Sequence, residues 1–121
     1  MNRSDLIRRI VLNSICDGYE NVDQRILPVV AKDCAEFGIA VERDEIVRAL
    51  GELIADGLAK AYLLSSREPF STELQGMPPL DVVEEDFKTY FSITKKGMDL
   101  HLSDDWPFDD NDAPRLDWHL G

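Results

Sequence analysis

The hydrophobic period of this chain changes at Gly57, and that single switch restricts the architectures open to it. Before Gly57, apolar residues recur at helical spacing; after it, they crowd into short segments that alternate. Segment 4–17 predicts a first helix, with Ser4 at the capping position and Leu6, Ile7, Ile10, Val11 and Ile15 on one face. Asp17-Gly18 stops it. A second helix fits 24–37, where Ile26, Leu27, Val30, Cys34 and Phe37 share a face and Gly38 terminates. Pro28 is tolerated only near a helix start, which moves the proper beginning to 26 or 27. The strongest helix is 43–56, striped by Ile46, Val47, Leu50, Leu53 and Ile54 and closed by Gly57.

Beyond the switch, Leu58–Ser65 has room for one strand. Phe87–Thr94 sets Phe87, Thr89, Phe91 and Ile93 against Lys88, Tyr90, Ser92 and Thr94, the period of a half-buried strand. The stretch 66–86 between them holds Pro69, Gly76, Pro78 and Pro79 and reads as a long loop. Within it, Asp81-Val-Val-Glu84 has capping-box spacing for one helical turn at 82–86. Thr94 then caps a last short helix containing Met98 and Leu102. Residues 1–103 are thus expected to form one α+β domain, and 104–121, with two prolines and no periodicity, an extended tail.

Charge restricts the partners. The chain carries −11 with a pI near 4.4, and the tail alone, with six acids against one base, supplies −5 of it. A surface of that sign is poorly suited to a polyanion such as DNA or an acidic membrane leaflet. Trp106, Phe108, Leu116 and Trp118 are costly to leave in water, so part of the tail is expected to lie on the domain or on a second subunit. The two cysteines, Cys16 and Cys34, form no Cys-x-x-Cys and no disulfide framework. Apolar runs of about six residues, as in Ile26–Ala31, fall far short of the ~20 that span a bilayer. Polar residues from Asp5 to Asp17 interrupt any secretory leader. The expectation is a cytoplasmic protein with no membrane partner.

Two stretches in this helix and strand order carry a family resemblance. Glu42-Arg-Asp-Glu-Ile-Val-Arg-Ala-Leu-Gly-Glu-Leu-Ile-Ala-Asp-Gly-Leu-Ala-Lys resembles the third helix of winged-helix transcription regulators, where Leu-x-x-x-Gly-Leu feeds the first wing strand. Tyr90-Phe-Ser-Ile-Thr-Lys-Lys-Gly-Met-Asp-Leu100 resembles the second wing strand turning into the next helix. The resemblance covers residues 5–102. It implies a winged helix-turn-helix domain: a three-helix core, a two-stranded antiparallel wing with a long acidic loop, and a short C-terminal helix. Winged helices serve DNA binding and protein docking alike, so the residues must choose between them.

In a DNA-binding member, helix 43–56 would enter the major groove. Its outward positions here are Asp44, Glu45, Arg48, Glu52 and Asp56, four acids and one base. Asp44 and Glu52, four residues to either side, are expected to occupy the charge of Arg48. The wing loop sets Arg67 against six acids and carries Phe70, Leu74, Met77, Leu80, Val82 and Val83. These features favour a protein partner, with Asp44, Glu45, Arg48, Glu52, Phe70, Leu74 and Met77 as candidate contacts. Leu12 and Cys16, placed away from the main stripe of the first helix, and the tail residues Trp106 and Trp118 are candidates for self-association as a homodimer. The alternative is a dimeric DNA-binding regulator using Arg43, Arg48 and Arg67.

Catalytic grammar is not found. The sequence has no Gly-x-Gly-x-x-Gly, no Gly-x-x-x-x-Gly-Lys-Ser/Thr and no Gly-x-Ser-x-Gly. His101 with Asp104 and Asp105 is a weak ligand set, and the aspartates at 109, 110 and 112 lack the glycine and terminal glutamate of a calcium loop. The chain therefore reads as a non-enzymatic interaction module with no cofactor and no metal.

Overall fold

A computed structural model of the chain describes residues 3–78 and 89–102. Over these it is mixed α+β, with helices Arg3–Ser14 (α1), Leu27–Ala35 (α2), Arg43–Ala55 (α3) and Lys95–His101 (α4). Strands Ala59–Leu64 (β1), Ser71–Glu73 (β2) and Thr89–Ile93 (β3) form one antiparallel sheet in the order β2-β1-β3. This arrangement is compatible with a winged helix. The expected turn at 82–86, the side chains of Leu80, Val82 and Val83, and the tail 104–121 lie outside the described residues.

The two strands read from the sequence pair as their alternation requires, Ala59 opposite Ile93 and Leu63 opposite Thr89. The sheet differs from the expected two-stranded wing. It is three-stranded, because β2 forms inside the stretch read as loop and pairs Tyr62 with Glu73 and Leu64 with Ser71. The hairpin turn is closed by Ser65 N–H donating to the Phe70 carbonyl at 2.9 Å. On the far side of β3, Glu20 and Phe91 exchange both backbone hydrogen bonds, at 2.8 and 2.9 Å, as an isolated bridge.

The core is built around α1. Leu6, Ile7, Ile10, Val11 and Ile15 are buried as the stripe predicts, against Val30, Cys34, Ile46, Leu50, Leu53 and Phe91. Leu12 was expected on an outer face; it is 1% exposed. The reason is α4, which packs against α1 beside α3, so that Leu12 lies between helices at the base of a cleft. α1 also ends three residues early, where Ile15 and Cys16 N–H donate back to Leu12 and Asn13 carbonyls and tighten the last turn. Ahead of α2 the chain makes a π-helical turn over Val22–Ile26, set by Asn21. The Asn21 side chain accepts from Gln24 N–H while its carbonyl accepts from both Arg25 and Ile26.

α3 stops in a two-bond cap. Gly57, at φ +77°, lets its own N–H reach the Ile54 carbonyl and the Leu58 N–H reach Leu53. That turn is then clasped by the start of α4. Thr94 Oγ1 donates to the Gly57 carbonyl (2.7 Å) while accepting from Gly97 N–H (3.0 Å), and Lys96 Nζ donates to the Asp56 carbonyl (2.9 Å). The two stretches that carry the family resemblance, joined here through residues 37 to 40 apart in sequence, are therefore one contact in space.

Candidate functional site

α3 presents Asp44 and Arg48 to solvent, and Ile46, Ala49, Leu50 and Leu53 to the core. Its charged residues are arranged differently from what helical spacing alone suggests. Glu52 pairs with Arg8 of α1 at 2.9 Å, and Arg8 also holds Asp5. Glu45 is gripped by Arg3, which donates in addition to the Ala40 carbonyl at 2.8 Å. Arg48 makes no ion pair with a described residue, so its expected engagement by Asp44 and Glu52 does not form. The cross-helix partner outcompetes the same-helix one because α1 lies alongside α3 at packing distance.

Arg43 is the most restrained of the arginines proposed for DNA. Its Nε and Nη2 donate to the two oxygens of Asp23 at 2.7 and 3.1 Å, a bidentate pair that ties the start of α3 to the π-helical turn. Arg67 lies exposed in the β1–β2 turn, its backbone N–H on Ser65 Oγ. Arg43 and Arg48 thus share α3, the first held by Asp23 and the second open to solvent, while Arg67 stands apart on the hairpin.

The segment after β2 folds back onto α3. Leu74 N–H donates to the Ala61 carbonyl at 2.9 Å, and Leu74 and Met77 both pack against the core cluster. Met77 reaches the middle of α3 at Gly51, where a Cβ would lie 3.7 Å from Met77 Cγ. A groove of about 540 Å³ runs there, walled by Asp44, Val47, Arg48, Glu52, Ala55 and Pro78. Of the wing candidates, Leu74 and Met77 are therefore half-buried on their own domain, whereas Phe70 at the hairpin stays 59% exposed. Gly51 and Pro78 were not singled out from sequence. A glycine in the middle of the strongest helix, costing ~1 kcal/mol against alanine, was the available signal of a close approach.

Both thiols are held above their ordinary value. Cys34 is fully buried, and burial, reinforced by Asp33, pushes its thiol up to about 11. Cys16 is partly exposed; burial and then the neighbouring Asp17 raise it as well. Among the described residues no group of three or more His, Cys, Asp or Glu could hold a metal ion. Nor is any described helix long and apolar enough to cross a membrane. Searches of protein-family models, curated proteins and solved structures returned no match to this chain.

Proposed function

We propose that this chain is a non-enzymatic winged-helix module that binds a protein partner along the outward face of α3 and the segment that folds over it. The observation that carries this reading is Met77 seated against Gly51. A helix that enters the DNA major groove needs its outer face clear, because the groove is ~12 Å wide and admits little more than the helix itself. Here that face is partly roofed by the chain's own Met77 and Pro78, leaving a groove with a flexible methionine on one wall. Methionine adapts its shape to irregular apolar surfaces, which suits a protein contact. The charged rim, Asp44 and Glu52 with Arg48 between them, favours a partner segment with basic residues flanking an apolar one.

The DNA-binding alternative keeps two supporting features, the solvent-facing Arg48 on α3 and the exposed Arg67 at the hairpin, where a wing tip would meet the phosphate backbone. Titrating the protein into random duplex DNA separates the two readings. The protein-binding reading expects no anisotropy change even at low salt, and salt-sensitive binding would overturn it. In parallel, a photo-crosslinking residue at Arg48, introduced in the source cells, should trap a discrete protein adduct that Gly51→Leu abolishes. A crosslinker at Lys95, on α4, should not trap it.

A further inference from the structure

A second concavity lies on the opposite flank of α3. It is a cleft of about 290 Å³ between α1, the end of α3 and α4, lined by Leu12, Leu53, Leu58 and Leu100, with Arg8 and Asp56 on its rim. That volume is at the bottom of the range for small-ligand pockets, ~300–1,000 Å³, and suits one large side chain better than a cofactor. Leu100, one wall of the cleft, sits one residue before the end of α4, and Leu102 just after it is 73% exposed. The chain thus leaves the described fold at the mouth of this cleft with nineteen residues still to run, 103–121. Those residues hold both tryptophans of the protein and six of its acids.

We infer that this cleft receives the chain's own C-terminal segment, with Trp106 as the anchoring side chain. Trp106 is four residues beyond Leu102, a reach of up to about 14 Å for extended chain, which is enough to turn back onto Leu100. An indole matches the mixed character of the site, whose floor is leucine and whose rim is polar. The charges also match at one point. Arg8 and the buried Arg9 are the bases that line the cleft, and Asp104, Asp105, Asp109 and Asp110 bracket Trp106. Asp5 and Asp56, which line it too, oppose this attraction, and Arg8 already serves Asp5 and Glu52. Apolar insertion is therefore the main contribution and charge the lesser one. A second copy could offer the same segment, but docking within one chain needs no concentration and only the three residues 103–105 of tether.

Because Trp106 and Trp118 are the only tryptophans, selectively excited tryptophan emission of the full chain reads this segment alone. The expected result is emission blue-shifted from that of the urea-unfolded chain, with acrylamide quenching reduced several-fold. Trp106→Phe should remove the protected component and Trp118→Phe should keep it. Leu100→Glu should return the emission to the unfolded position while the far-UV circular dichroism signal still melts cooperatively. Emission already at the unfolded position, or protection that survives Leu100→Glu in a folded chain, overturns the inference. Protection that grows with protein concentration assigns the segment to a second copy and overturns it as well. Should Leu100→Glu not fold, a nitroxide on Asp56→Cys in a Cys16→Ser chain tests the same contact without entering the cleft. It should quench more than half of the Trp106 emission, and failure to quench overturns the inference.

Discussion

Gly97, in the first turn of α4, lies so close to the Leu58 carbonyl that a Cβ built on it would stand 2.1 Å from that oxygen and 2.7 Å from Ile93 Cγ1. Leu58 N–H completes the cap of α3 and its carbonyl accepts from Thr94 N–H at 3.1 Å, so moving this carbonyl aside would cost a hydrogen bond. The first turn of α4 can approach the end of α3 only if residue 97 has no side chain.

Gly97→Ala should therefore destabilise the protein by about 3 kcal/mol or more, the upper end of overpacking costs, because the obstruction is backbone and not a side-chain tip. Urea unfolding followed by circular dichroism measures it. A loss under 1 kcal/mol would mean that α4 can shift away from α3 cheaply.

Thr89 offers the opposite sign. Its hydroxyl is buried at the start of β3 and finds no hydrogen-bond partner among the described residues, while its branched shape suits the strand. Thr89→Val keeps the shape and removes the stranded polar group, so stability should rise by about 1 kcal/mol. An unchanged or lowered urea midpoint would show that the hydroxyl is satisfied in solution.

His101 should make stability depend on mild acid. Burial, and then the nearby Arg9, hold its imidazole below the ordinary value of 6.5, with Asp17 opposing. The folded state thus disfavours the protonated ring. The unfolded chain takes up a proton first, so stability is level above about pH 6.5 and falls as pH drops from there through the lowered folded value. His101→Gln should flatten the urea midpoint between about pH 7 and 5, a window above the ordinary carboxylate range. A slope that persists in the variant would assign it to other groups.

The thiols should differ in reactivity by their burial. In native protein a thiol reagent should modify Cys16 slowly and leave Cys34 untouched, with both reacting once urea unfolds the chain. Rapid native modification of Cys34 would mean that α2 opens readily from the core.

What the sequence made legible follows from locality. The stripe of α3 and the alternation on β3 are repeated several times within one segment, so tertiary packing had only to accept them. β2 is three residues, Ser-Thr-Glu, all exposed; with no apolar residue to alternate, its pairing to β1 is invisible until the hairpin closes. Leu12 was misplaced because a helical wheel of α1 cannot know that α4, more than eighty residues later, covers its second side. That Glu52 pairs with Arg8 in place of Arg48 was illegible for the same reason. The groove over α3 was half legible: its acids and Arg48 could be read off the helix, but the return of Met77 onto Gly51 belongs to the loop's path in three dimensions.

The bridge between Glu20 and Phe91 bears on how this protein behaves when crowded. A sheet grows into aggregates through an edge that offers a stranger several free backbone groups in a row. Here one flank of the sheet is met by Glu20 at Phe91, and the other ends in a three-residue strand whose Glu73 is engaged by Lys60 at 2.7 Å. Neither described edge gives an incoming strand a long enough template. A strongly acidic chain of this kind should stay dispersed at high concentration by shortening and charging its borders rather than by hiding them.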